Sequence, residues 1–401
     1  MKFNKSGQLL LVSAASLLVA GLVTACGTLT VDFVYVTSAK AAGTYNYGEV
    51  DVFEVNSESG FMRQIPTSPF PSGGRNPVAE AVSSDNTNLY VVNQDDNTIV
   101  QFVIGNDGKL YPQHTVNTPG IYPLAVAVNG SNLFVVDTYQ PLSSCSSAAP
   151  CSGSIAVLPI TAATSSTAAS LGSPVANGSL TYWPLSLPGK PNDVLLPTAV
   201  KVLPSGTDVY VTAYDTTANT GYVFGFSVAS GGALTALNGG VPFAAGTHPS
   251  AIASDPSGAY LYVADATNGV VLGYKISSGS LSAISGSPFP AGGQPSAMAI
   301  DSTGKFAYVT NAADSTVTAY SISSGVLSRL GSYATGLQPV AIGIDPSSNQ
   351  YVYTANFLGN NVSGFQLNAS TGALLNTQNA PYNSNSQPTA VAAIPHGVKT
   401  K

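Results

Sequence analysis

A short motif, Pro-x-Ala followed by alternating apolar residues, recurs seven times along this chain of 401 residues. Five of the six intervals between copies are 44 to 52 residues long, and the remaining one is 74. A period of about 40 to 50 residues is typical of the four-stranded blades of β-propellers. The sequence therefore predicts seven blades, with an insertion in one of them. The motifs begin at Pro77, Pro123, Pro197, Pro249, Pro295, Pro339 and Pro388.

Each repeat carries the signals of four strands. In the copy that starts at Pro249, apolar residues 251–253 precede the sequence Asp-Pro-Ser-Gly at 255–258, whose Pro and Gly suit a tight turn. The segments that follow are rich in β-branched and aromatic residues and show no helical period, which predicts an all-β protein. These three further strands are expected at 260–265, 270–276 and 281–284.

The two ends of the chain complete one blade between them. After Pro388 only residues 390–394 form a strand pattern, whereas residues 31–66 hold three strand patterns and lack the first. We therefore predict a seven-bladed propeller that is closed by pairing its N-terminal strands with its C-terminal strand, which removes exposed sheet edges. The N-terminal strand patterns are 34–37, 50–55 and 61–65.

The first 25 residues have the pattern of a secretory signal peptide. Lys2 and Lys5 precede an apolar run at 9–23, which ends in Leu-Val-Thr-Ala-Cys at Cys26. This ending resembles the lipobox of bacterial lipoproteins. The resemblance implies cleavage after residue 25, lipidation of Cys26 and a lipid anchor in the cell envelope, with Gly27 favouring the outer membrane, on its periplasmic or surface side. The alternative is an ordinary signal peptide with an incidental cysteine. Residues 26–401 are then a single propeller domain.

Charged residues are scarce, at 8% of the chain, and the formal net charge of −6 becomes −8 once Lys2 and Lys5 are removed. The 13 basic residues are spread along the chain, so they offer no cluster to neutralise a nucleic-acid backbone. We expect no nucleic-acid partner, membrane contact only through the lipid, and a monomer. We also expect no cofactor or metal, because the three histidines form no ligand motif and the recurrent Asp turns offer too few carboxylates for calcium.

The longest interval between motifs places a loop insertion at about 138–196. It holds Cys145 and Cys151, six residues apart, which predicts a loop-closing disulfide in an exported protein. A stretch rich in Ser, Thr and Ala follows at 161–170. The insertion is either a lid or interaction arm, or a tolerated surface loop.

A second motif, Tyr-Val-Thr-Asn at 308–311, ends the second strand of one unit and has variants at 90–93, 262–265 and 353–356. Through it, residues 31–401 resemble the YVTN-repeat and lactonase-type seven-bladed propellers. The resemblance implies the fold. It also implies one of two functions: metal-free hydrolysis of a sugar lactone, as in 6-phosphogluconolactonases, or the role of cell-surface propellers without known catalysis.

In a propeller the inner strand of each blade runs from the top face to the bottom face, so two sets of residues are expected around the top of the central channel. One set precedes each Pro-x-Ala motif, and the other ends each second strand. The first set is Asn76, Tyr122, Leu196, His248, Gln294, Gln338 and Gln387. The second set is Ser38, Asn93, Asp137, Ala213 or nearby Asp215, Asp265, Asn311 and Asn356.

Three residues are candidates for a catalytic site. The lactonase pattern implied by the resemblance is His-Pro-Arg-His at a blade start and Asn-Glu at the next strand end, and here only His248 and Pro249 match it. His248 is the candidate base, and Arg75 is the candidate partner of a carboxylate or oxyanion. Glu80 stands where the other units have an apolar residue, so we expect either a raised pKa or a salt bridge to Arg75.

Two functions remain open at this point. The first is a lactonase-like carboxylic ester hydrolase that acts on a small sugar lactone. The second is a non-catalytic cell-envelope propeller that binds a glycan, a peptide or a protein on its top face.

Overall fold

The computed structural model describes residues 30–39, 47–146, 148–164, 169–346 and 348–396. These residues form seven antiparallel sheets, and their only helical element is a 3-10 turn at Asn238–Gly240. Within these ranges no helix is long and apolar enough to cross a membrane. Cys26 and the expected signal peptide lie outside the described residues.

Each sheet is one blade with four strand positions, counted here from the channel outwards. In blade order, the inner strands are Pro388–Pro395, Pro77–Val82, Ile121–Asn129, Leu195–Val202, Pro249–Ser254, Pro295–Ile300 and Pro339–Ile344. The second strands are Thr30–Ser38, Asn88–Asn93, Asn132–Tyr139, Asp208–Asp215, Tyr260–Asp265, Phe306–Asn311 and Tyr351–Asn356.

The outer half of each blade is less regular, because in five blades the outermost strand is split into two short pieces that both pair with the third strand. The third strands are Glu49–Asn56, Thr98–Ile104, Ser154–Thr161, Thr220–Val228, Val270–Ser277, Thr316–Ser323 and Asn361–Leu367. The outer strands are Met62–Gln64 with Phe70–Pro71, Leu110–Asn117, Ser170–Leu171 with Trp183–Pro184, Leu234–Ala236 with Phe243–Ala244, Ser280–Ala283 with Phe289–Pro290, Val326–Ala334, and Leu374–Asn376 with Tyr382–Asn383.

The ring closes as the sequence predicts. The N-terminal strand Thr30–Ser38 pairs on one side with Glu49–Asn56 and on the other with the C-terminal strand Pro388–Pro395, with Tyr35 opposite Ala392. The seven inner strands then contact one another in a complete circle. The seven-bladed all-β propeller is therefore confirmed.

The Pro-x-Ala motif marks the top of every inner strand. Pro249 lies opposite Asp265, the last residue of the second strand, and the residue between Pro249 and Ala251 is bulged out of the register. Proline suits this position because it has no N–H to donate to the sheet. In three blades the bulged residue is a Ser or Thr whose hydroxyl donates to the proline carbonyl of the next blade, at 2.5 to 2.9 Å: Ser250, Ser296 and Thr389.

The tyrosine of the YVTN-type motif joins neighbouring blades. Tyr308 is fully buried, and its hydroxyl donates to the carbonyl of Gly372 in the next blade at 2.9 Å. Gly372 has a φ of 73°, and a Cβ there would lie 2.4 Å from the Phe306 ring, so the accepting turn requires glycine. The equivalent bonds elsewhere are Tyr35 to Gly108, Tyr210 to Gly279 and Tyr262 to Gly325.

The expected insertion is only partly a loop. Residues 138–196 include the third strand of blade 3, Ser154–Thr161, and both outer pieces, so the prediction of a loop across the whole range was too broad. Cys145 and Cys151 form the expected disulfide, with their Cα atoms 5.4 Å apart. The side chain of buried Gln101, in blade 2, binds residues 169–171 of the insertion. It donates a hydrogen bond to the Ala169 carbonyl at 2.7 Å and accepts one from the Leu171 N–H at 3.2 Å.

The tyrosine bonds can be tested with a matched pair of variants. Tyr308→Phe removes one hydroxyl and leaves a buried carbonyl unpaired, so we expect the free energy of unfolding to fall by about 1 kcal/mol. Tyr90 is the control, because its buried hydroxyl has no hydrogen-bond partner among the described residues. Tyr90→Phe should be neutral or slightly stabilising in the same denaturant titration. Equal destabilisation by both substitutions would contradict the inter-blade bond.

Candidate functional site

The residues that precede the Pro-x-Ala motifs surround the channel mouth with an unusual backbone. Five of them have a left-handed φ, between 23° and 56°, although none is glycine. A left-handed conformation costs a residue with a Cβ about 1 kcal/mol, and such residues tend to cluster at functional sites. Their side chains are partly or fully exposed. These five residues, called the mouth ring below, are Asn76, Tyr122, Gln294, Gln338 and Gln387.

Aromatic pairs lie on the side of the mouth where the other two residues that precede a Pro-x-Ala motif lack the left-handed conformation. His248 packs edge-on against Tyr214, with ring centroids 4.3 Å apart and an angle of 67°. On the neighbouring blade, Tyr122 packs in the same way against Tyr139 at 6.1 Å, and its carbonyl accepts a hydrogen bond from Thr138. Tyr139 and Tyr214 were missed by the sequence analysis, although both stand within two residues of a predicted strand end.

The second expected ring does not line the mouth. All its members are fully buried, so the expectation that they surround the channel opening was wrong. Three of these side chains, those of Asp137, Asp265 and Asn311, turn back to the loops between blades, because these loops expose backbone N–H groups that need acceptors. Asp265 shows this best: it accepts the N–H groups of Thr247 and His248, at 2.8 and 3.2 Å. Burial opposes ionisation, but these bonds and that from Asn268 lower the pKa of Asp265.

Asp137 and Asn311 act in the same way. Asp137 accepts the Gly120 N–H at 3.0 Å, and burial raises its pKa to about 7. Asn311 accepts the Gly292 N–H and donates to Thr318. Asp137, Asp265 and Asn311 therefore hold loops at the mouth. The full buried set is Ser38, Asn93, Asp137, Ala213, Asp215, Asp265, Asn311 and Asn356.

Arg75 is committed to a surface ion pair. Its Nε and backbone N–H both donate to the Asp96 carboxylate at 2.7 Å. Partial burial opposes ionisation of Asp96, but the hydrogen bonds from Arg75 outweigh it and lower the pKa of that carboxyl. The alternative of a salt bridge between Arg75 and Glu80 is therefore wrong.

Glu80 lies inside the ring, at the seam between blades 1 and 2. One carboxylate oxygen accepts a hydrogen bond from Thr37, while the other is buried without a partner among the described residues. Burial raises the pKa of Glu80 to about 8, despite the bond from Thr37, so the group is mainly protonated at neutral pH. The structure brings none of His248, Arg75 and Glu80 into contact with another.

Lys201 is a further charged residue of the channel wall that the sequence analysis missed. It lies on the inner strand of blade 4, at a position where the other six blades have Ala or Gly. Burial lowers its pKa. A comparison of the aligned repeats at this position would have revealed it, because a single lysine interrupts a column of small residues.

The sequence comparison identifies the family. A model of the family described as lactonase, seven-bladed β-propeller, matches residues 45–147 and 280–393, more than half of the chain. The chain belongs to the lactonase family of seven-bladed β-propellers. No curated protein matches it in sequence. The match to the lactonase family model leaves out residues 148–279, which contain most of the insertion and His248.

Solved structures resemble this lactonase-family propeller over almost its whole length. A candidate 6-phosphogluconolactonase from Bacteroides fragilis is 19% identical, with a TM-score of 0.69, and the alignment covers 91% of this chain and 98% of that one. The periplasmic gluconolactonase of Pseudomonas aeruginosa is 18% identical, with a TM-score of 0.69 and coverages of 91% and 99%. At these identities the likeness describes the fold.

Three charged groups on top of the lactonase-family propeller have local partners. Asp95 accepts a hydrogen bond from Asn76, Asp314 accepts the Gly293 N–H, and Lys190 pairs with Asp193 at 3.3 Å. Among the described residues no group of three or more His, Cys, Asp or Glu could hold a metal ion. The described mouth therefore offers carboxamides and aromatic rings beside two exposed carboxylates, Asp95 and Asp314.

Buried carboxyls concentrate at the closing blade. Burial, reinforced by nearby Asp345, raises the pKa of Asp32 to about 8. Burial also raises the pKa of Asp51 to about 7, although Asn385 and Gln64 donate to it. Asn385 precedes the C-terminal strand, so Asp51 holds the segment that completes the ring.

The free-energy cost of burying an ionised carboxylate can be measured at Glu80. A carboxyl with a raised folded-state pKa gives its full contribution to stability below the unfolded pKa of about 4.3 and loses it as the pH rises to the folded pKa. Glu80→Gln stays neutral, so the stability of the variant relative to wild type should improve from pH 5 to pH 8, by up to about 1.4 kcal/mol per pH unit. Exposed Glu58→Gln is the control, with no such trend in urea unfolding. A stability difference between Glu80→Gln and wild type that does not change with pH would contradict a buried, protonated Glu80.

Proposed function

We propose that this protein is a lipid-anchored propeller of the bacterial cell envelope that binds a neutral, hydroxyl-rich ligand, a glycan or a sugar lactone, at its top mouth without hydrolysing it. The observation that carries this proposal is the mouth ring, where four carboxamides and a tyrosine are held in a left-handed backbone conformation. Natural selection tolerates such strain where a side chain is needed, since glycine would fit the same backbone without cost.

The chemistry of the mouth suits a neutral sugar. Each carboxamide offers both donors and acceptors, which matches the dual character of a hydroxyl group. The rings of Tyr122 and His248 supply flat apolar surfaces beside them, on which the C–H face of a sugar can pack. An anionic ligand would instead require free Lys or Arg, and the top-face cations Arg75 and Lys190 are paired with carboxylates.

Hydrolysis needs a base and an oxyanion donor that converge on one reacting atom. Arg75 is paired with Asp96, and Glu80 is bonded to Thr37 at a seam between blades. The His248 ring packs against Tyr214, while its backbone N–H donates to the buried Asp265. The binding function is therefore better supported than the hydrolase.

Lactone hydrolysis is the second candidate, and His248 is the observation that favours it. This residue is partly exposed on the mouth of a lactonase-family propeller, and two structural neighbours are named for lactonase activities. His248 would then act as the base towards water, with the mouth ring holding the lactone.

The export proposal rests on the N-terminal sequence and on the disulfide. The lipobox-like ending at Cys26 supports a lipid anchor, and the bond between Cys145 and Cys151 suits an oxidising compartment. The solved neighbour from Pseudomonas aeruginosa is itself named as periplasmic.

Binding can be measured with a panel of neutral oligosaccharides and sugar lactones by isothermal titration calorimetry. Gln338→Ala removes one mouth carboxamide. It should lower the affinity for the tightest-binding ligand by about 5- to 10-fold, as expected for the loss of one or two hydrogen bonds. Gln366→Ala is the matched control, because Gln366 is an exposed carboxamide on the outer part of the same blade. Equal affinities for both variants would contradict the mouth as the binding site.

Turnover of glucono-1,5-lactone and its 6-phosphate distinguishes the two candidates. We expect the wild-type protein and His248→Ala to match spontaneous hydrolysis in a spectroscopic acid-release assay, because no second catalytic group contacts His248. Turnover that is present in wild type and lost in His248→Ala would refute the binding-only function and establish the hydrolase.

A further inference from the structure

The chain enters the propeller from its bottom face. The first described strand begins at Thr30, opposite Asn56 at the bottom of the blade, and ends at Ser38, opposite Pro388 at the top. Only residues 27–29 separate Thr30 from Cys26. Four residue steps span at most about 14 Å even at full extension. A lipid on Cys26 would therefore hold the bottom of blade 1 within about 14 Å of its attachment point, whatever path these residues take.

The bottom edge near this entry carries two exposed apolar side chains. Tyr111 is 48% exposed and Leu375 is 69% exposed. They occupy the same register position, one residue after a leucine near the start of the outer strand, opposite Val103 and Gln366 respectively. They belong to blades 2 and 7, the two blades that flank blade 1.

The same register position is polar in the blades farther from the entry. It is Thr235 in blade 4, Ser282 in blade 5 and Ser328 in blade 6, and all three side chains are exposed. The apolar residues therefore do not follow from the repeat itself. They appear on both sides of the point at which the chain enters.

Both basic side chains of this edge are paired with carboxylates, and Glu58 in the adjacent turn adds one exposed negative charge. In blade 1 the equivalent position is Arg63, which pairs with Glu54. Beside Tyr111, Lys109 pairs with Asp107 at 2.5 Å. A headgroup layer would thus meet a tyrosine, a leucine and two long basic side chains, a combination favoured at membrane interfaces, without a large repulsive charge.

We propose that a bottom rim made of Arg63, Lys109, Tyr111 and Leu375 rests on the phospholipid bilayer, so that the mouth ring points away from the membrane. This inference rests on the lipid anchor of the proposed function and goes beyond it, because it adds a protein surface in contact with lipid and fixes the orientation of the propeller. The contact is weak on its own and becomes effective once the anchor makes it intramolecular.

Thiol labelling of the full-length protein, expressed with its signal peptide, tests the orientation. Tyr111→Cys and Leu375→Cys are labelled with a charged maleimide in vesicles of phosphatidylethanolamine and phosphatidylglycerol. The reference is the same variant with Cys26→Ser, mixed with the same vesicles. We expect labelling of both bottom-rim cysteines to slow by about 5-fold on anchoring. Thr235→Cys, at the equivalent position of blade 4, and Leu358→Cys on the top face should not change.

Vesicle flotation separates the two possible failures. If the protein floats but anchoring changes the labelling rate at none of the four positions, the bottom-rim contact is contradicted and the lipid anchor is not. Protein that does not float contradicts the anchor and, with it, the orientation. Protection of Leu358→Cys instead of the bottom-rim cysteines would reverse the proposed orientation.

Discussion

The pairing of the two chain ends is the interaction on which the rest of this propeller depends. Thr30–Ser38 and Pro388–Pro395 form adjacent strands of one blade, so residues more than 350 positions apart along the chain complete the ring. The mouth ring exists only when all seven inner strands stand in a circle. This closing blade also carries an electrostatic cost, because three carboxyl groups are buried within or against it and have raised pKa values: Asp32, Asp51 and Glu80. Closure is thus coupled to protonation.

The repeated architecture could be predicted because short local sequence motifs mark its strands and turns. Pro-x-Ala marks the start of an inner strand, the Asp turns mark its end, and the Tyr of the YVTN-type motif marks the middle of the second strand. The blade that begins at Pro249 agrees with its predicted strands to within one or two residues at each boundary. The residues 31–66 were assigned to the shared blade for the same reason: three strand patterns without a first one leave no other partner.

The site was harder to predict, because the sequence shows which residues end a strand but not where their side chains turn. Asp265 and Asn311 stand at the mouth in sequence, yet both are drawn under the surface by backbone N–H groups that need an acceptor. Glu80 and Arg75 were close enough in sequence to suggest an ion pair, but Asp96 lies nearer to the guanidinium on the surface. Long-range geometry of this kind does not follow from periodicity. The strained backbone of the mouth ring likewise becomes visible only in three dimensions.

These features combine into a propeller with two different faces. The top presents carboxamides and aromatic rings, and the bottom receives the chain beside two exposed apolar residues. A crystal structure of the protein soaked with glucono-1,5-lactone would test the central claim most directly. The account predicts an intact lactone ring at the mouth, hydrogen-bonded to the carboxamides of Gln294, Gln338 or Gln387. A ligand bound away from the mouth ring, or held at the mouth without contact to these carboxamides, would contradict it.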